Sequence, residues 1–184
     1  MSLRPDLLAT LPGLVAAEVQ GWLPDLATCK GVVGRIELAE VKRLGIAAPA
    51  VLVSRFGTRV AQALAGPHRH YLVDLAAFVV TKDALGLDRN TAAATITQAL
   101  LTRLPDLEID AEGVGEVSDL TEHSLVTTDV LKEGIALWAV TWRQRVALEA
   151  HPEPEPITPQ LYVGWAPRIG AAHEDDYVLV GGNP

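Results

Sequence analysis

The chain has 184 residues, 49% hydrophobic and 21% charged, with a formal net charge of −8. That length suits one domain of ordinary size with residues left for an arm or long loops, and the balance is that of a globular chain able to build a core. No apolar run approaches the roughly 18 residues of a membrane span, and the acidic balance argues against wrapping nucleic acid, which needs Lys and Arg against phosphate. A passage that DNA slides through stays open, because carboxylates on its wall repel phosphate.

The first residues, MSLRPDLLATLPGL, lack the charged start, long apolar run and cleavage site of a signal peptide, so the cytoplasm is the expected place of synthesis and assembly. Residues 5–23 predict a helix: Pro5 suits its first turn, and the mostly apolar set Leu7, Leu8, Leu11, Leu14, Val15, Glu18, Val19 and Trp22 recurs at three- and four-residue spacing. The Pro12-Gly13 step is expected to kink this helix or split it, and Pro24 closes it. The lone Cys29 cannot form an intramolecular disulfide, and nothing beside it suggests a nucleophile. A weak strand is expected at 31–36, and one or two helical turns at 37–44 before Gly45.

Residues 50–55 (AVLVSR) read as a strand, with a second candidate at 58–64 beyond Phe56-Gly57. The run 70–82 (HYLVDLAAFVVTK) is apolar on both alternating faces, which predicts a central strand covered on each side. Residues 90–104 predict the best helix, capped by Asp88 or Asn90 and ended by Pro105; Ala92, Ile96, Ala99, Leu100, Arg103 and Leu104 are expected along one side. Shorter strands are expected at 114–120 and 124–127, then a helical turn at 128–132 before Gly134. A second long strand follows at 135–148. Its inner face holds Ala136, Trp138, Val140, Trp142, Val146 and Leu148, broken by Gln144, and its outer face ends in Thr141, Arg143 and Arg145. It should pair with 70–82.

The order of elements predicts an α+β fold, a mostly antiparallel sheet with helices packed on one face. The domain would span 1–149. Residues 150–160, with four prolines in HPEPEPITPQ, predict a stiff extended linker, and 161–184 an aromatic C-terminal arm that folds back on its own domain or docks on a neighbour.

No catalytic, cofactor or metal site is expected. His68 and His70 share a strand face but have no cysteine or carboxylate close by to complete a metal site. Asp119, Glu122, His123 and Ser124 are neighbours in sequence, which does not make a nucleophile and its base converge. The acidic run at 173–176 (HEDD) reads as solvated, and no glycine pattern makes a phosphate loop. Asp106, Glu108, Asp110 and Glu112 alternate in a loop that faces solvent or a lumen. Trp138 and Trp142 lie four apart on one strand face, suited to a core or to a subunit interface; Tyr162, Trp165 and Tyr177 of the arm are further interface candidates.

Four features carry a family likeness: Leu11-Pro12-Gly13 in the first helix, the Pro-Ala-Val-Leu-Val strand at 49–53 leading to Phe78-Val79-Val80, the helix at 90–104, and residues 134–146 with Ala-Leu-Trp-Ala-Val-Thr-Trp at 136–142. Over about residues 5–148 the chain resembles the tail-terminator-like proteins of Mu-like phages and prophages, minor tail proteins of the virion. The resemblance implies a ring, a homohexamer, around a central pore. One face would stack on the last ring of tail-tube protein, and the other would receive the head-completion or neck proteins. DNA would pass through the pore without sequence-specific binding. A neighbouring head-tail connector or tail-completion protein is the alternative within the virion. A cytosolic module binding a small molecule or peptide is the alternative of another class.

Overall fold

The computed structural model describes residues 5–34, 43, 45–61, 68–83, 88–125, 134–150, 161–163, 171–176 and 178–180. These fall in two compact units, Met1–His151 and Pro152–Pro184.

Helix α1 runs Leu7–Trp22 and buries Leu7, Leu11, Pro12, Val15, Ala16 and Val19. The expected split at Pro12 is not found: one helix continues through it. A proline inside a helix costs about 3 kcal/mol. Burying a leucine or valine gains about 1.5–3 kcal/mol, so the four large apolar groups on this face outweigh it. The Pro12-Gly13 step has a packing role instead. Strand β1, Thr28–Val33, crosses α1 so closely there that a Cβ on Gly31 would stand 2.6 Å from the Gly13 nitrogen. The strand expected at 31–36 therefore starts three residues earlier. Of the turns expected at 37–44 only residue 43 is described; residues 35–42 and 44 lie outside the described residues.

Strand β2 is Ala50–Val60, one continuous strand where the sequence suggested two. An irregularity in its register between Arg55 and Gly57 marks the Phe56-Gly57 step read as a break. The rest of the second candidate, 62–64, lies outside the described residues. Strand β3 is His68–Lys82 and β5 is Ile135–Ala150; they pair antiparallel along their length, as expected. Helix α2, Arg89–Arg103, is capped by the Asp88 carboxylate, which accepts from the Asn90 and Thr91 amides. Its buried side is Ala93, Ile96, Thr97 and Leu100, continued by Leu104. This corrects the expected stripe, because the helix is turned so that Ala92 and Ala99 lie half-buried and Arg103 is exposed. Strand β4, Val114–Ser124, fuses the 114–120 strand with the start of the 124–127 candidate, and the turn expected at 128–132 lies outside the described residues.

The sheet has the order β1-β2-β3-β5-β4, with β1 and β2 parallel and the other pairs antiparallel. It is an α+β fold with β3 at the centre. One face carries Val51, Val53, Val73, Leu75, Ala77, Val79, Ala136, Val140, Trp142 and Val146, in one cluster with the buried sides of α1 and α2. Both helices thus cover the same face. The other face holds a second cluster that includes Leu52, Phe78, Val80 and Leu137.

The second unit contains a two-stranded antiparallel ribbon, β6 (Leu161–Val163) with β7 (Val178–Val180), and a 3-10 turn at Ala171–Asp176. Residues 151–160 of the expected linker lie outside the described residues, and Ala150 ends β5.

Candidate functional site

The most ordered polar arrangement lies on the sheet face opposite the helices. Asp74 sits in an otherwise apolar run of β3, on the face of Phe78 and Val80 by strand alternation. Arg59 of β2 donates from Nη2 to its Oδ1 at 2.6 Å. Across the other neighbour, Arg143 of β5 stands directly opposite Asp74 and brings Nε to 3.4 Å from the same oxygen. Arg143 Nη1 then pairs with Asp119 of β4. Four strands are crossed by one alternating series: Arg59, Asp74, Arg143, Asp119. Beside it, Arg145 Nε reaches Glu116 Oε1 at 2.9 Å.

Two bulges in β4 aim its acids. Between the pairs Val114–Val146 and Val117–Gln144, residues Gly115 and Glu116 oppose Arg145 alone. Between Ser118–Arg143 and Thr121–Thr141, residues Asp119 and Leu120 oppose Trp142 alone. A bulge turns one side chain out of the regular alternation. Asp119 adopts φ +53 there, a left-handed conformation that Asp tolerates better than most residues. The ladder's side chains are each more than a third exposed, so each pair contributes about 0–1 kcal/mol. Its effect is to present an ordered, charge-balanced surface.

On the helix face the one polar interruption in β5 is satisfied. Gln144 is fully buried, accepts the Trp142 indole N–H at 3.3 Å and donates to the carbonyl of Gly115 in the first bulge. Trp142 is 2% exposed and belongs to the core of its own subunit. Trp138 is half-buried against that core; its indole nitrogen is enclosed and has no hydrogen-bond partner among the described residues. Tyr162 is 51% exposed on β6, while Trp165 and Tyr177 lie outside the described residues.

The small clusters weighed for chemistry are dispersed. Glu122 pairs with Val140 and His123 with Ala139, so their side chains point to opposite faces, and both are exposed. His70 sits beside a register irregularity at the start of β3; nothing is described of the His68 side chain. Among the described residues, no group of three or more His, Cys, Asp or Glu side chains is placed to hold a metal. Burial pushes the Cys29 thiol up to about 11, and its Sγ rests 3.1 Å from the Ala16 carbonyl oxygen. Asp106, Glu108, Asp110 and Glu112 are exposed, alternating with Leu107, Ile109 and Ala111, which pack on the core. An open cleft of about 260 Å³ lies between the start of β4 and the end of β5, beside His70, Glu112 and Arg145. It is smaller than the roughly 300–1,000 Å³ of most small-molecule sites.

The bulges and the ladder were missed from sequence. Asp74 inside an apolar run and Arg143 and Arg145 on the outer face of β5 were the visible half of the signal. The acids of β4 gave none, because their aim depends on bulges.

No protein-family model and no curated protein matches the chain. Among solved structures, it is similar to a chain of the virion of a native gene transfer agent particle, at 18% identity and a TM-score of 0.42, over 71% of this chain and 85% of that chain.

Proposed function

We propose that this chain is a structural, self-assembling virion protein of a phage-type tail, and that its role is that of a tail terminator. The observation that supports this most is where the family-like segments fall. Leu11-Pro12-Gly13 packs α1 on β1, residues 49–53 lead into and form the start of β2, Phe78-Val79-Val80 lies in β3, α2 occupies 89–103, and residues 136–142 lie in β5. Segments scattered over more than a hundred residues of sequence thus build one sheet-and-helix core. Copies would close into a ring, probed first as a hexamer, that caps the tail tube and receives a head-completion or neck protein. Heterologous contacts that close on themselves end growth sideways. The chain's acidic balance suits a pore that DNA crosses without sticking. It would act through its surfaces and without a cofactor.

The test is light scattering of the purified chain, alone and with tail tubes, followed by electron microscopy. Rings at one end of the tube support the terminator. Rings that bind only the neck proteins move it to the adjacent connector. A compact monomer or dimer indifferent to both sinks the reading.

A further inference from the structure

Strand β1 pairs with β2 only from Ala50 to Arg55. Past that point β2 continues through residues 56–60, with residues 57–60 paired to β3 on one side. On the other side no described strand pairs with it. The exposed end of β1 and this stretch of β2 carry apolar side chains that the single chain leaves in water: Val33 is 98% exposed, Val60 77% and Phe56 46%. Strand backbone with no partner among the described residues, beside exposed apolar groups, is a template for another strand.

The chain also carries short strands with exposed apolar side chains. The β6–β7 ribbon has three residues in each strand. A two-stranded ribbon is marginal in water even when longer. Its pairing puts Tyr162 with Leu179 on one face and Val163 with Val178 on the other, and Tyr162 and Val178 are both exposed. The region around it is acidic: Glu153, Glu155, Glu174, Asp175 and Asp176 against Arg168. Charge and exposed apolar groups then separate this stretch of β2 from the β4 edge. The β4 edge is interrupted by two bulges and carries the exposed Glu122, while its Glu116 and Asp119 are paired with Arg145 and Arg143. This stretch of β2 lies beside the exposed Arg55, with Lys30 exposed on β1, while Arg59 is paired with Asp74.

We propose that the open edge of β2 at residues 56–60 takes up a C-terminal strand of a second copy of this chain, joining copies by strand addition. The contact rests on the self-assembling reading above and names how copies join. A five-residue stretch accommodates a three-residue strand, whose apolar side chains cover Phe56, Val60 and Val33 while its flanking acids lie near Arg55.

Hydrogen exchange on the full-length chain, at low and high concentration and after assembly on tail tubes, tests this. Residues 56–60 and the strands at 161–163 and 178–180 are expected to gain protection together on association, by about tenfold or more. Val60→Glu places a carboxylate against the acidic strand and should raise the concentration for half-association about tenfold or more, while Val60→Lys should not. Association with unchanged exchange in both segments, or normal association of Val60→Glu, overturns the proposal. Tube-capping rings without protection at 56–60 overturn this contact and leave the terminator standing. Protection of both segments in an oligomer that ignores tubes keeps the contact and overturns the terminator. A chain that stays monomeric under all conditions overturns both.

Discussion

Asp119, at φ +53 inside a bulge of β4, accepts an ion-paired hydrogen bond from Arg143 of the neighbouring strand. Two opposing contributions meet at this residue. The left-handed backbone disfavours a side chain by about 1–2 kcal/mol relative to glycine. The pair returns at most about 1 kcal/mol, because the side chains are 38% and 58% exposed. Asp119→Ala, which keeps the strain and loses the pair, should be less stable than Asp119→Gly by about 1 kcal/mol, and Asp119→Gly should lie within about 1 kcal/mol of the parent chain. Urea midpoints of the three proteins check this. Equal midpoints for Ala and Gly would mean the bulge is not left-handed in solution.

Gln144 is a different case, because it is fully buried. Gln144→Leu matches the apolar face but strands the Trp142 indole N–H in the core, and an unsatisfied buried donor costs about 1–3 kcal/mol. Asn is too short to reach the same partners and should not restore the loss. Denaturation with tryptophan fluorescence reads both the stability and the environment of Trp142. A Leu variant as stable as the parent would show that water already serves this site.

The contrast between these two residues explains what could be read from sequence. Alternation along 70–82 and 135–148 revealed the central strand pair, because a strand buried on one or both faces writes its pattern directly into apolar spacing. The Asp88 cap of α2 was equally local. The bulges in β4 were not legible: whether Asp119 faces Arg143 depends on which residues pair across the sheet. Gln144 read as a break because its partner, the Gly115 carbonyl, belongs to a distant segment. The continuity of α1 through Pro12 was hidden for the same reason, since the packing of its buried side that offsets the proline joins distant elements.

Cys29 supplies a pH-dependent prediction. Burial raises its thiol from 9.0 to about 11. The folded state therefore holds the proton more tightly than the unfolded chain, so this contribution to stability is complete below about pH 9 and is lost as pH rises toward 11. At pH 8 the thiolate fraction should be about a hundredfold lower than in the unfolded chain, and reaction with a disulfide reagent correspondingly slow. Stopped-flow modification with and without denaturant measures the ratio. Equal rates would place Cys29 at the surface.

Gly31 and Gly21 should respond oppositely to the same substitution. A methyl group on Gly31 would stand 2.6 Å from the Gly13 nitrogen and 2.8 Å from the Pro12 carbonyl carbon, both backbone atoms that no rotamer change can move. Gly31→Ala must therefore push α1 off β1, at a cost of about 1–3 kcal/mol as in other overpacked sites. Gly21 lies in α1 with nothing within 4 Å of its added Cβ. There Gly21→Ala should stabilise by about 0.5–1 kcal/mol, through the helix preference of alanine. Thermal melts of both variants, read by circular dichroism, should shift in opposite directions. If Gly31→Ala melts with the parent, the close crossing of α1 and β1 is wrong, and with it the packing role of the Leu-Pro-Gly step.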